Sequence, residues 1–175
     1  MSLITDSKVL SLSFSSNRLA YAVFEDGRLD FYAGKTLRRY QSTRVRNRAL
    51  VSILKTLVVR HRIQRISLPR LNKQQDRSRP LRSLYQTAIQ FCLNEWLSCL
   101  ILDPVQVRRR ITGPAKPTKA NASNALVRSL PELKRYARKS DWEKKYYGHV
   151  FTAIGCGLAA VDSKFADHEG EDDHE

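Results

Sequence analysis

Apolar and polar positions alternate with period two at the start of the chain and shift to a period near 3.6 further along. Residues 8–13 and 19–24 alternate as half-buried strands do. Asp26-Gly27 is a two-residue hairpin signal, and Leu29-Asp30-Phe31-Tyr32 continues as a third strand. Three strands joined by short turns predict an antiparallel meander.

The helical period then takes over. Leu50, Ile53, Leu54, Leu57 and Val58 fall at i, i+3, i+4, i+7 and i+8, which predicts an amphipathic helix over 43–61. Ile63 to Leu68 is a short β-branched run ending at Pro69 and reads as a buried strand. Residues 70–80 (RLNKQQDRSRP) are polar and basic and read as a loop. Pro80 suits the first turn of a helix whose buried face is Leu81, Leu84, Tyr85, Ala88, Cys92 and Trp96. Cys99 to Leu102 is a further strand, closed by Asp103-Pro104. Val105 to Ile111 reads as a short helical turn, and Thr112 to Thr118 as a loop whose last residue caps a helix over 119–130. After a basic segment, Glu132 to Lys139, Asp141 caps a last helix from Trp142 to about Val161, with Val150, Ile154, Leu158 and Val161 on its face. Antiparallel strands come first and αβ crossovers second. The order predicts an α/β fold: a mixed five-stranded sheet with three leading antiparallel strands, flanked by helices.

Charge changes the picture most. The chain has 175 residues and a formal net charge of +14. Six of its 17 acids fall in residues 167–175, which hold no Lys or Arg, so 31 basic residues face 11 acids over 1–166. The expected organisation is one folded domain over 1–166 and a disordered acidic tail over 167–175. An excess of that size calls for a polyanionic partner, and nucleic acid is the first candidate because neutralising phosphates releases counterions. An anionic membrane fits less well, since the basic residues do not gather on one amphipathic helix. No apolar run approaches the ~20 residues that span a bilayer, and MSLITDSKV lacks the charged-then-apolar order of a secretory signal. A cytoplasmic location is expected. Cys92, Cys99 and Cys156 form no C-x-x-C pair, and Cys92 and Cys99 read as core residues.

Several segments resemble the RuvC family of Holliday junction resolvases, whose fold is ribonuclease-H-like. Leu10 to Val23 (LSLSFSSNRLAYAV) resembles the family's first strand, turn and second strand. Val107 to Ala120 (VRRRITGPAKPTKA) resembles its V-T-G stretch with a later lysine, here Lys119. Asn121 to Leu130 resembles the helix that follows, and Gly148 to Leu158 (GHVFTAIGCGL) the closing helix. Together they cover residues 8–162.

The resemblance implies a dimeric protein that binds four-way DNA junctions and cuts them with two metal ions about 3.5–4 Å apart, held by carboxylates. Mg²⁺ is a hard cation and takes oxygen ligands. At the matching positions this chain has Ser13, Leu68, His149 and Thr152 instead of the family's acids, although His149 matches a residue some members use. The reading is a degenerate site with no catalytic residues, no metal and no cofactor, Mg²⁺ entering only if another carboxylate rebuilds it. Asp103 is the one acid near enough to be considered. Binding is expected through two sets that the resemblance puts beside DNA: Arg70, Lys73, Arg77, Arg79 and Arg82, and Arg108, Arg109, Arg110, Lys116 and Lys119. Backbone N–H groups of Thr112 and Gly113 are candidates for a phosphate. Lys144 and Lys145 belong to a third set with aromatic residues between the charges. The expected function is recognition of branched or structured nucleic acid, with self-association through the helix at 81–99. The alternatives are an active junction endonuclease with a rearranged metal site, and a scaffold for RNA or protein.

Overall fold

The computed structural model describes residues 8–137 and 141–162, with backbone alone at 137 and 141–146. Strands β1 (Val9–Ser15), β2 (Arg18–Glu25) and β3 (Arg28–Thr36) form the expected antiparallel meander. The β2–β3 turn is Asp26-Gly27, with φ of 51° and 77°, the left-handed pair that a two-residue hairpin needs. β1 also pairs in parallel with β4 (Arg65–Pro69), and β4 with β5 (Ser98–Leu102), so the sheet order is β3-β2-β1-β4-β5. β3 runs longer than its apolar residues indicate. Gly34, Lys35 and Thr36 still pair with β2, but on an edge strand half in solvent they carry no apolar signature.

Helix α1 (Thr43–His61) starts where Ser42 accepts a hydrogen bond from the Val45 N–H and stops at Arg62, which takes the left-handed conformation at φ 52°. Two helices depart from expectation. Residues 70–80 contain a short helix, α2 (Lys73–Asp76), closed by a capping box between Asn72 and Gln75. The turn expected at Val105 is a full helix, α4 (Pro104–Thr112), because Asp103 accepts from the N–H groups of Val105 and Gln106 and Pro104 occupies the first turn. Between them, α3 (Arg79–Asn94) buries Leu81, Leu84, Tyr85, Ala88 and Cys92 as expected. Trp96 does not join them: the helix ends at Asn94, Trp96 turns to φ 54°, and its side chain is 95% exposed. α5 (Lys119–Ser129) is capped by Thr118, as expected. A 3₁₀ turn at Pro131–Leu133 leads to α6 (Lys134–Ala137), and α7 (Asp141–Val161) closes the fold.

The sheet divides the core in two. One face presents Leu10, Leu12, Phe14, Ile66 and Leu68 to α1 and α3. The other presents Val9, Ala20, Ala22 and Phe24 to α7, which packs directly on β1 and β2. That helix sits close. A Cβ at Gly157 would lie 2.0 Å from the buried Phe24 ring, so only glycine fits there. No helix among the described residues is long and apolar enough to cross a membrane. The acidic tail over 167–175 lies outside the described residues, as do Arg138, Lys139 and the side chains of Lys144 and Lys145.

Candidate nucleic-acid site

β1, β4 and β5 are mutually parallel, so their carboxyl ends lie along one edge, where open α/β sheets take their ligands. Ser13 is near that end of β1 and is buried. Its Oγ lies 3.2 Å from Nδ1 of His149 on α7, a contact in which the imidazole tautomer decides which partner donates. The strand and the helix thus bring two of the sequence-matched positions together. Thr152 sits one turn further along α7, with its hydroxyl donating to the Gly148 carbonyl at 2.9 Å. Burial lowers the pKa of His149, and the positive charges of Arg18 and Lys119 lower it further. A neutral imidazole in a cationic neighbourhood results.

Leu68 does not join this group. Successive residues of a strand face opposite ways, and Leu68 packs with Ile66 in the α1/α3 core. The β4 residues that face α7 are Arg65, whose guanidinium donates to the Ala160 carbonyl, and Ser67. Ser67 pairs in register with Ser11 of β1; both are fully buried, and neither hydroxyl has a hydrogen-bond partner among the described residues. Matching by sequence order missed Ser67. Counting strand parity from the apolar Ile66 and Leu68 finds it.

These donors do not suit Mg²⁺. Ser13, Ser67 and Thr152 offer neutral hydroxyls, and a hard dication needs anionic oxygens to offset its lost hydration. Among the described residues no three His, Cys, Asp or Glu side chains gather where an ion could be held. Asp103 spends its carboxylate capping α4. Glu25 pairs with Lys8 at the opposite end of β1, Asp30 approaches His61 at 3.8 Å, and Asp162 pairs with Arg110.

The basic candidates fall into two neighbouring groups. The Arg70 N–H donates to the Leu102 carbonyl, which ties the start of the 70–82 set to the end of β5, next to the start of α4. Arg70, Lys73, Arg77, Arg79 and Arg82 are all exposed, and so are Arg109, Arg110, Lys116 and Lys119. Arg108 is half-buried, its Nε–H donating to the Pro117 carbonyl, which braces the 113–118 loop against α4. The backbone donors expected at Thr112 and Gly113 are not open to a phosphate. Thr112 lies within α4, and the Gly113 N–H bonds to the Arg109 carbonyl at 2.9 Å. The Thr112 hydroxyl is tied as well, its one proton within reach of the carbonyls of Arg108 and Ala115.

Solved structures decide the fold. RuvC of T. thermophilus, in complex with a Holliday junction substrate, superposes with a TM-score of 0.66 at 12% identity, over 90% of this chain and 95% of that one. This chain has the fold of the RuvC resolvases. The yeast mitochondrial Holliday junction resolvase gives a TM-score of 0.61 at 10% identity, covering 92% and 82% of the two chains. The fowlpox virus resolvase, in complex with its Holliday junction substrate, gives 0.54 at 11%, covering 90% and 98%. No protein-family sequence model matches the chain, and no curated protein sequence does. The RuvC fold is therefore carried by topology and packing, with a sequence far removed from its structural neighbours.

Proposed function

We propose that this chain binds branched nucleic acid, four-way junction DNA above all, and does not hydrolyse it, acting as a recognition or assembly subunit. The observation that carries this reading is the Ser13–His149 contact at the carboxyl end of β1, with Arg18 and Lys119 near enough to lower the histidine pKa. In a metal-dependent nuclease, negative side chains hold positive ions, which in turn hold the phosphate. Here the side chains around the same pair of elements are themselves neutral or positive, so a phosphate meets protein cations directly. The exposed arginines of 70–82, with Arg109 and Arg110, extend that surface. The solved resolvases with this fold that are bound to Holliday junctions support a junction as the ligand. Leu93 and Trp96, 64% and 95% exposed at the end of α3, support self-association through that end.

The test is binding and cleavage of a four-way junction, a matching duplex and a structured RNA, each with Mg²⁺, Mn²⁺ or EDTA. Junction affinity should exceed duplex affinity and should persist in EDTA, with every strand intact under all three conditions. It should also fall steeply with salt, and Lys119→Ala should shallow the log–log slope by about 0.9. Strand cleavage that depends on the metal overturns the reading, as does equal affinity for junction and duplex.

A further inference from the structure

α4, α5, α6 and α7 enclose a groove of about 340 Å³ beside the site just described. Its walls are apolar: Ile111 of α4, Leu126 of α5, Phe151 of α7 and the ring of Tyr136 on α6. Burial pushes the Cys156 thiol, which lines it, up to about 12, so that wall is uncharged. Arg108 and Lys119 also line it, and no carboxylate among the lining residues opposes them. Asn124 supplies an amide that both donates and accepts. The Tyr136 ring is held from several sides, by Tyr147 at 4.6 Å between centroids, by Tyr32 edge-on at 5.8 Å, and by the Arg135 guanidinium at 4.8 Å.

We infer that this groove receives one unpaired nucleotide of the bound DNA, with the base between the apolar walls and its phosphate at Arg108 and Lys119. The chemistry of the lining matches each part of such a ligand. A nucleobase has two apolar π faces and a hydrogen-bonding edge; the apolar walls suit the faces, and the Asn124 amide suits the edge. A nucleotide carries its charge at one end, as the groove carries its cations. The volume lies at the low end of what small-ligand sites enclose, enough for a single base and far too narrow for a duplex. Lys119 also joins the groove to the phosphate surface, because its charge reaches His149. Nucleotides unpaired at a branch point are already out of the stack, so the cost of extruding them is small. The inference rests on the proposed binding of branched DNA and adds what part of it is read.

The test uses the full chain and a four-way junction with one unpaired 2-aminopurine nucleotide at the crossover, beside the same junction with an abasic residue there. The intact base should bind about tenfold more tightly, in keeping with base–aromatic stacking, and the 2-aminopurine emission should be quenched on binding. Ser123→Phe, which fills the groove from α5, should erase both effects and leave abasic-junction affinity and its salt slope unchanged. Tyr136→Ala should weaken the quenching. Equal affinity for intact and abasic junctions in the wild type overturns the inference, and so does discrimination that survives Ser123→Phe, which would place the base elsewhere. Selective junction binding without base discrimination sinks this inference alone. Base discrimination that is equal on a junction and a bulged duplex sinks the junction reading alone.

Discussion

On the side of the sheet covered by α1 and α3, β1 presents Leu10, Leu12 and Phe14; on the side covered by α7, the same strand presents Val9, Ser11 and Ser13. β2 repeats the division, with Leu19, Tyr21 and Val23 on one side and Ala20, Ala22 and Phe24 on the other. The first face is a core of large apolar side chains. On the second, β1 and β2 present mostly small ones, with Phe24 the exception, and α7 answers with Ala153, Gly157 and Ala160. Small residues let the helix backbone approach the strands, and that approach is what brings His149 to Ser13. One face supplies stability through apolar burial; the other gives up some of it, with the hydroxyls of Ser11 and Ser67 lacking partners among the described residues, and holds the candidate site.

The comparison can be broken at its strongest point with Leu54→Ala, beneath the face of large side chains. It should cost about 3 kcal/mol in urea unfolding through the cavity it leaves, and folded protein should keep its junction preference. A loss below about 1 kcal/mol would mean this face is not closely packed. On the other side, Gly157→Ala drives a methyl into the Phe24 ring and should cost about 2 kcal/mol, against the small gain that alanine brings to a helix. A neutral or stabilising result would remove the close approach from the argument. Ser67→Ala should be neutral or should gain up to about 1 kcal/mol, because the hydroxyl it deletes is buried without a partner among the described residues; a clear loss would reveal a partner for it.

The finest test is the pH dependence of His149. With its folded pKa lowered, the folded state binds fewer protons than the unfolded chain over the interval below about 6.5. The stability due to this group is complete above that value and is lost as the pH falls through the interval. Thermal unfolding from pH 7.5 to 5 should therefore fall less in His149→Gln than in the wild type; parallel curves would sink the idea that burial and cations govern this histidine.

Much of the fold was legible because its signals are local. The period of Leu50, Leu54 and Leu57 set α1 to the residue, and Thr118 marked the start of α5. The same reading carried α3 too far, since Trp96 continues the spacing of Ala88 and Cys92 while the helix ends without a glycine or proline to announce it. It also fell short at α4, where Asp103-Pro104 is a start signal as well as the end of a strand. Order along the chain picked out Ser13 and His149, which the structure brings together, and Thr152 one turn away, but also Leu68, which points to the other face, because order ignores which way a strand residue points. The backbone donors of Thr112 and Gly113 could not be judged from sequence: whether an N–H is free depends on where the helix ends.

The ion pair between Arg110 and Asp162 pins the place where the chain leaves α7 beside the arginine row of α4. A pair this exposed adds little to stability. Its larger effect is on charge, because Asp162 offsets one cation of the α4 row: the row presents less positive charge than its three arginines count.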